Sequence, residues 1–343
     1  MNIAMITGSR AEWGLLKPLA DILKPSIYAT GSHLSPAHGF TLGDIFDDGF
    51  TPMSIPCVQA WDHSTSVSDA MALVLAKLSL IPVSYDAVIL LGDRYEIFAA
   101  ATAVFNAGVP IIHIHGGETT RGSKDDVYRD CITRMATYHF VAAEPYRERV
   151  IQIGADPDKV WTVGALGCDG LEPNHDREDY ILCVWHPTLG EDELFGELLQ
   201  WLGRRDEPKV FIRANADPNY ININTSIDRF QEMHEGTIVY DSLPRAEYLN
   251  LLRYCKCAIG NSSSFVIEAP ALGTVVYLVG RRQDGRLMGD TITSVDRPSS
   301  ISEANHFYGN IGVAFRVNRE RYLPYGGGNV AQAIGDKIND LFG

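Results

Sequence analysis

The sequence predicts an α/β protein of two doubly wound domains facing each other across a cleft, and three observations carry that prediction. Short apolar runs alternate with amphipathic stretches from end to end, as in parallel strand–helix units. A polar, proline-containing stretch, Glu172-Pro173-Asn174-His175-Asp176-Arg177-Glu178-Asp179, interrupts the alternation, which then restarts. At 343 residues the chain also exceeds the usual size of one hydrophobic core. The expected domains are 1–171 and 172–343, with the stretch after 171 as their linker.

In the first half the strand-like runs are Ile3–Ile6, Ile27–Thr30, Ala87–Leu91, Pro110–His115, Phe140–Ala142 and Val160–Val163. Leu15, Leu16, Leu19, Ile22 and Leu23 follow helix spacing, as do Ile97, Ala101, Val104 and Phe105. In the second half Ile181–Val184, Val210–Arg213, Ile238–Tyr240, Cys257–Gly260 and Val275–Val279 read as strands. Helices are expected near Glu191–Gly203, Arg245–Arg253, Phe265–Leu272 and Asn329–Leu341. Polar groups follow the C-terminal ends of these strands, where doubly wound sheets place their ligands.

Composition narrows the function. A net charge of −14 argues against nucleic acid, whose phosphates need surplus Lys and Arg. It leaves room for a small anion held by a few arginines and helix N-termini. The six cysteines, Cys57, Cys131, Cys168, Cys183, Cys255 and Cys257, form no CxxC pair and no zinc spacing, so buried reduced thiols are expected. Cys255 and Cys257 fall in one strand-like run and are expected to point the same way. The N-terminus has no basic segment followed by a long apolar one, and no stretch reaches a membrane span. A cytoplasmic protein without a membrane partner is the simplest expectation.

Five motifs follow strand ends. Thr7-Gly8-Ser9-Arg10-Ala11-Glu12-Trp13-Gly14 is a strand–turn–helix whose free amides suit an anion, and the fork of Arg10 suits phosphate; it is not GxGxxG and has no acidic ribose partner for NAD. Leu91-Gly92-Asp93-Arg94-Tyr95-Glu96 offers Asp93, either a helix cap or a catalytic carboxylate. Ile112-His113-Ile114-His115-Gly116-Gly117-Glu118 leads on to Asp125 and Asp126 at a helix start, which the helix dipole also tolerates as capping groups. Strand alternation puts His113 and His115 on one face, yet nothing completes a metal ligand set, so no metal is expected. Several carboxylates in one cleft fit acid/base chemistry better, because their surroundings can separate their pKa values.

In the second half Cys183-Val184-Trp185-His186-Pro187-Thr188 leaves His186 at a strand end, structural or catalytic. Gly260-Asn261-Ser262-Ser263-Ser264-Phe265-Val266-Ile267-Glu268 runs a serine triplet into a helix, with Glu268 one turn in. Gly280-Arg281-Arg282-Gln283-Asp284-Gly285-Arg286 returns arginine to the same edge. Together these read as a nucleotide diphosphate site.

With Thr30-Gly31-Ser32-His33-Leu34-Ser35 and Pro324-Tyr325-Gly326 added, the motifs Thr7–Gly14, Leu91–Glu96, His113–Arg129, Gly260–Glu268 and Arg281–Arg286 resemble the hydrolysing UDP-N-acetylglucosamine 2-epimerases of sialic and legionaminic acid synthesis, in order over nearly the whole chain. The resemblance implies a GT-B-like fold of two Rossmann-like domains, the last helix, about 328–343, packing back on the first domain. It implies that UDP leaves C1 as the C2 proton is removed, and that water adds to the resulting glycal to give a free sugar of the ManNAc type. Asp93, Glu118, Asp125 and Asp126 would share the proton transfers, with His186 beside them. Arg10, Arg282 and the helix start at Ser262-Ser263 would take the pyrophosphate charge, and Glu268 the ribose. His33, His115 and Asn215 would complete the substrate contacts. No cofactor is implied, and the family suggests a homodimer or homotetramer.

The sequence departs from the family pattern where His115 stands in place of a glutamate found in some members. Lys124, Asp130, Phe265 and Pro218-Asn219-Tyr220 are further departures. The alternatives are a non-hydrolysing epimerase, a GT-B glycosyltransferase, and a UDP-sugar-binding homologue without turnover.

Overall fold

The computed structural model describes residues 1–36, 39–57, 64–174, 176–188, 190–214, 217, 219–301 and 323–343. The chain divides into two compact units, one of Met1–Glu118, Lys124–Asp169 and Gly328–Gly343, the other of Thr119–Ser123 and Gly170–Gly327.

In the first unit the chain runs β1 (Ile3–Thr7), α1 (Arg10–Leu23), β2 (Ser26–Ala29), α2 (Leu42–Asp47), β3 (Met53–Ser54), α3 (Ser64–Leu78), β4 (Ala87–Leu91), α4 (Tyr95–Asn106) and β5 (Ile111–Ile114). It continues through α5 (Asp125–Met135), β6 (Tyr138–Val141), α6 (Glu144–Ile153) and β7 (Val160–Thr162). The sheet is wholly parallel, in the order β3-β2-β1-β4-β5-β6-β7. Its central strands β1 and β4 are fully buried and almost wholly apolar because both faces are covered. Ala4, Ile6, Val88 and Leu90 pack with Val74, Ile97 and Val104 on one side, while Ile3, Met5, Ile89 and Leu91 pack with Trp13, Leu16 and Leu19 on the other.

The second unit runs β8 (Ile181–Val184), α7 (Asp192–Leu202), β9 (Lys209–Ile212), α8 (Tyr220–Met233), β10 (Thr237–Tyr240), α9 (Arg245–Tyr254), β11 (Cys257–Gly260), α10 (Ser263–Ala271), β12 (Val276–Val279) and β13 (Ile292–Val295). Its parallel sheet has the order β10-β9-β8-β11-β12-β13. Both sheets reverse their strand order once, between β1 and β4 and between β8 and β11, the switch points at which such sheets take up ligands.

The last helix, α11 (Val330–Phe342), belongs to the first unit. Val330, Ala331, Ile334 and Ile338 join the cluster around α1, and Gly335 lies so close to it that a Cβ there would sit 2.7 Å from Ile22. The two carboxylate oxygens of Asp169, distant in sequence, accept from the amides of Val330 and Ala331 at 3.0 Å each. They satisfy two of the amides that every helix leaves unpaired at its start, and set a negative charge at the positive end of the dipole.

Three sequence expectations change. The polar stretch after 171 is no free linker: Arg177 donates to the carbonyls of Arg253 and Gly273, and the Glu178 amide to that of Tyr254. Cys255 ends α9 and lies outside β11, so strand alternation does not relate it to Cys257; all six cysteines are free thiols. β5 stops at Ile114, and His115 takes a left-handed φ of 66°, so alternation does not carry from His113 to His115 either.

Replacing Asp169 with Ala should lower stability by about 1–2 kcal/mol, read in a urea titration. Asp169→Asn should recover part of that loss through its remaining carbonyl oxygen.

Candidate active site

The first unit gathers several of its candidate residues around the buried guanidinium of Arg129. Arg129, in the second turn of α5, is 1% exposed. Its guanidinium donates to Asp93 Oδ2 through Nη2, and through Nη1 to Asp126 Oδ1 at 2.9 Å and the Glu118 carbonyl at 2.7 Å. A guanidinium cannot shed its proton, so burial obliges it to find anions and acceptors. The ends of β4 and β5 and the start of α5 are fixed by it together. Asp93 follows β4, Asp126 is the second residue of α5, and Asp125 is the first. Arg149 lies 3.7 Å from Asp126 and donates to Asp130 at 2.7 Å.

Glu118 is buried, and His115 sets its side chain. The Leu166 amide donates to His115 Nε2 at 3.2 Å, which leaves the proton on Nδ1 to donate to Glu118 Oε1 at 3.1 Å. At this departure from the family pattern, the chain has an imidazole that orients the carboxylate three residues on. The strained backbone of His115 is held by those two bonds. His113 is a positioning residue: Nε2 bonds the Gly92 carbonyl at 2.8 Å and Nδ1 the Thr133 hydroxyl at 3.2 Å. Burial holds it neutral, with a pKa lowered to about 4.

Arg10 opens α1 and pairs through two nitrogens with Asp44 of α2, at 2.6 and 3.1 Å. His33 was expected at the substrate, but its ring is fully buried between the hydroxyls of Thr7 and Thr41, at 3.1 and 2.8 Å. Burial lowers its pKa to about 4.

The second unit is organised by Asn261, fully buried between β11 and α10. Its side chain accepts from the His186 amide at 2.7 Å and donates to the His186 carbonyl at 2.8 Å, tying the ends of β8 and β11 together. Its carbonyl accepts from Arg282 at 3.1 Å and Gln283 at 2.8 Å. Gly260 has to be glycine, since a Cβ there would sit 2.0 Å from the Val184 carbonyl. His186 Nδ1 is 4.0 Å from Asp217.

Ser262 stands at the N-cap of α10 without capping it by its side chain, which bonds Ser264 at 2.9 Å; Ser263 is the first helical residue. Such a helix start suits an anion. Glu268 accepts from Arg245 of α9. Phe265, a departure in the sequence, is fully buried. Asn215 lies outside the described residues.

The structure thus brings Asp93, Glu118 and Asp126 together through Arg129, and Asn261 links His186 with Ser262 and Arg282. Neither Arg129 nor Asn261 stood among the sequence candidates. Both lie inside quoted motifs, and their signal was an Arg three residues after Asp126 and an Asn directly after a strand-ending glycine. Replacing Arg129 with Met should cost about 3–5 kcal/mol in a denaturant titration, because Asp93 and Asp126 lose their buried counter-ion; Arg129→Lys should restore part of it.

A family model described as UDP-N-acetylglucosamine 2-epimerase matches residues 19–339. The chain is 32% identical over 320 residues to the GDP/UDP-N,N'-diacetylbacillosamine 2-epimerase (hydrolyzing) of Campylobacter jejuni, covering 85% of this chain and 83% of that one. It is 32% identical over 322 residues to polysialic acid biosynthesis protein P7 of Escherichia coli, covering 86% and 82%. The crystal structure of UDP-GlcNAc 2-epimerase from Neisseria meningitidis bound to UDP-GlcNAc shares the GT-B-like fold, with a TM-score of 0.77 at 15% identity over 99% of this chain and 100% of that one. Family model and relatives agree over most of the sequence: the chain belongs to the UDP-N-acetylglucosamine 2-epimerase family and is an enzyme of its hydrolysing kind.

Proposed function

We propose that this hydrolysing 2-epimerase takes a UDP-linked 2-acetamido sugar, eliminates UDP, and hydrates the resulting 2-acetamidoglycal to the free 2-epimeric sugar. The observation that carries the reading is a set of three carboxylates: Asp93 and Asp126 are ordered by the buried Arg129 guanidinium, which also holds the Glu118 backbone, and the Glu118 carboxylate is oriented by His115. Elimination at C2 needs a base for a weakly acidic C–H and a second group to return a proton to the opposite face. A set of carboxylates can divide those duties.

In this reading a carboxylate from the group Asp93, Glu118, Asp125 and Asp126 takes the C2 proton as the C1–O bond to UDP breaks. The electron pair forms the C1–C2 double bond. In the second step C2 gains a proton, water loses one to a carboxylate, and its oxygen bonds to C1. Arg10, Arg282 and the α10 start at Ser262 and Ser263 are proposed to take the charge that grows on the departing diphosphate. Glu268 is assigned to the ribose, His186 to the reacting sugar, and His115 to orienting Glu118. Asn215 remains a proposed substrate contact.

The substrate candidates are UDP-GlcNAc and UDP-N,N'-diacetylbacillosamine, the latter supported by the name of the Campylobacter relative. Sialic-type sugar synthesis, a cytoplasmic location, a homodimer or homotetramer and independence of metal belong to the same proposal. No helix among the described residues is long and apolar enough to cross a membrane.

Incubation of either UDP-sugar with the enzyme in deuterated water, followed by proton NMR, tests the reaction. Free sugar deuterated at C2, appearing with UDP, is expected. Accumulation of a UDP-linked epimer would make the protein a non-hydrolysing epimerase, and binding without any product would make it a sugar-nucleotide-binding homologue. Glu118→Gln should lower kcat by about 100-fold or more, with far less effect on KM.

A further inference from the structure

The switch point of the first unit, between β1 and β4, is filled by the chain's own side chains. Glu12, in the first turn of α1, folds back so that Oε2 accepts from the Gly8 amide at 2.7 Å. The Gly8 carbonyl accepts from the amide and the hydroxyl of Ser32 at 2.8 and 3.1 Å, so the two peptide groups flanking Gly8 are both held. Glu96, without any exposed side-chain surface, backs the same turn: a Cβ on Gly8 would sit 2.7 Å from its Oε1, and one on Gly31 3.0 Å from it. Arg94, next to Asp93, donates to Glu96 at 2.6 Å and lies 3.8 Å from Glu12. Two carboxyl groups therefore share one guanidinium, and geometry commits that guanidinium to Glu96.

We propose that Glu12 is a positioning residue: as a neutral carboxyl group it holds the Gly8 amide and sets the turn that carries Arg10, and loss of its proton weakens substrate binding there. A second negative charge beside Glu96 would be poorly compensated in this enclosed space. It would also lie at the start of α1, two residues from the arginine assigned to the diphosphate. Burial, then the charge of Glu96, raises the Glu12 pKa to about 8, against the opposing pull of Arg94 and the Gly8 amide.

His33 and Cys57, which also face the turn, do not titrate in that range. Burial keeps His33 neutral with a pKa lowered to about 4, and pushes the Cys57 thiol, which faces Glu96 from beyond β3, up to about 12. Arg10 is paired with Asp44. Between 4.5 and about 8 the folded protein keeps a proton on Glu12 that the unfolded chain has lost. The contribution of Glu12 to stability must therefore fall as pH rises through this window, and be smallest above it.

The assignment of the turn to substrate rests on the proposed function, so the test has two arms. KM for the UDP-sugar is measured with the full-length enzyme on either side of pH 8, for wild type, Glu12→Gln and Glu12→Ala. Wild-type KM should rise about tenfold on the alkaline side, about 1.4 kcal/mol, with a much smaller change in kcat. Glu12→Gln keeps an acceptor for Gly8 and cannot ionise, so its KM should stay flat; Glu12→Ala should have a raised KM on both sides. A residue with only a structural role would shift stability and leave the KM profile alone.

The second arm needs no substrate. Infrared difference spectra of the protein at neutral pH should show a protonated carboxyl C=O stretch that Glu12→Gln lacks. An alkaline rise in KM that survives in Glu12→Gln, or an infrared band the substitution does not remove, overturns the proposal. Should no UDP-sugar be turned over, the function fails and the infrared band alone decides the state of Glu12.

Discussion

The buried guanidinium of Arg129 is the constraint on which the arrangement of the first unit's candidate residues depends. An arginine with 1% exposure has to be surrounded by acceptors, and the acceptors here come from three strand and helix ends. The cation spends its donors on Asp93, Asp126 and the Glu118 backbone, so the carboxylates that would act on a substrate are also its counter-ions. Precision of placement and electrostatic compensation come from one group. Moving any one carboxylate would strand a charge in a low-dielectric interior.

Both units solve the same problem at their sheet's switch point in different ways. In the second, Asn261 spans β8 and β11 with amide bonds only, which leaves the start of α10 and Arg282 as the electropositive features nearby. In the first, charged groups do the spanning: Glu12, Arg94 and Glu96 tie the end of β1 to the end of β4. An amide hub is indifferent to pH. A carboxyl hub in which two acids face the same guanidinium is not, and this contrast is why the proposed pH response lies in the first turn.

Much of the fold was legible because parallel strands covered on both faces leave continuous apolar runs, and every expected run became a strand. The unforeseen strands, Met53–Ser54 and Ile292–Val295, are edge strands with little or no burial, so hydrophobicity could not mark them. The helix Tyr220–Met233 also escaped, its polar Asn and Gln residues diluting a face formed by Ile223, Ile227 and Phe230. Glu12 was read as part of an anion-binding turn. The spacing Ser9 to Glu12 equally suits a helix-capping pair, and the Ser9 hydroxyl does accept from the Glu12 amide at 3.3 Å.

The sequence by itself determined the α/β class, the strand ends where function gathers, and the family, since each is written in local patterns of residue type and order. Tertiary structure alone decided which of the candidates share a partner. Arg129 reaches Asp93 across 36 positions, and Asn261 reaches His186 across 75. It also turned His33 inward, between Thr7 and Thr41, and made His115 the orienting group of Glu118. The physical reason is the same throughout: a buried polar group must be satisfied, and the identity of its partner depends on which distant segments the parallel sheets bring side by side.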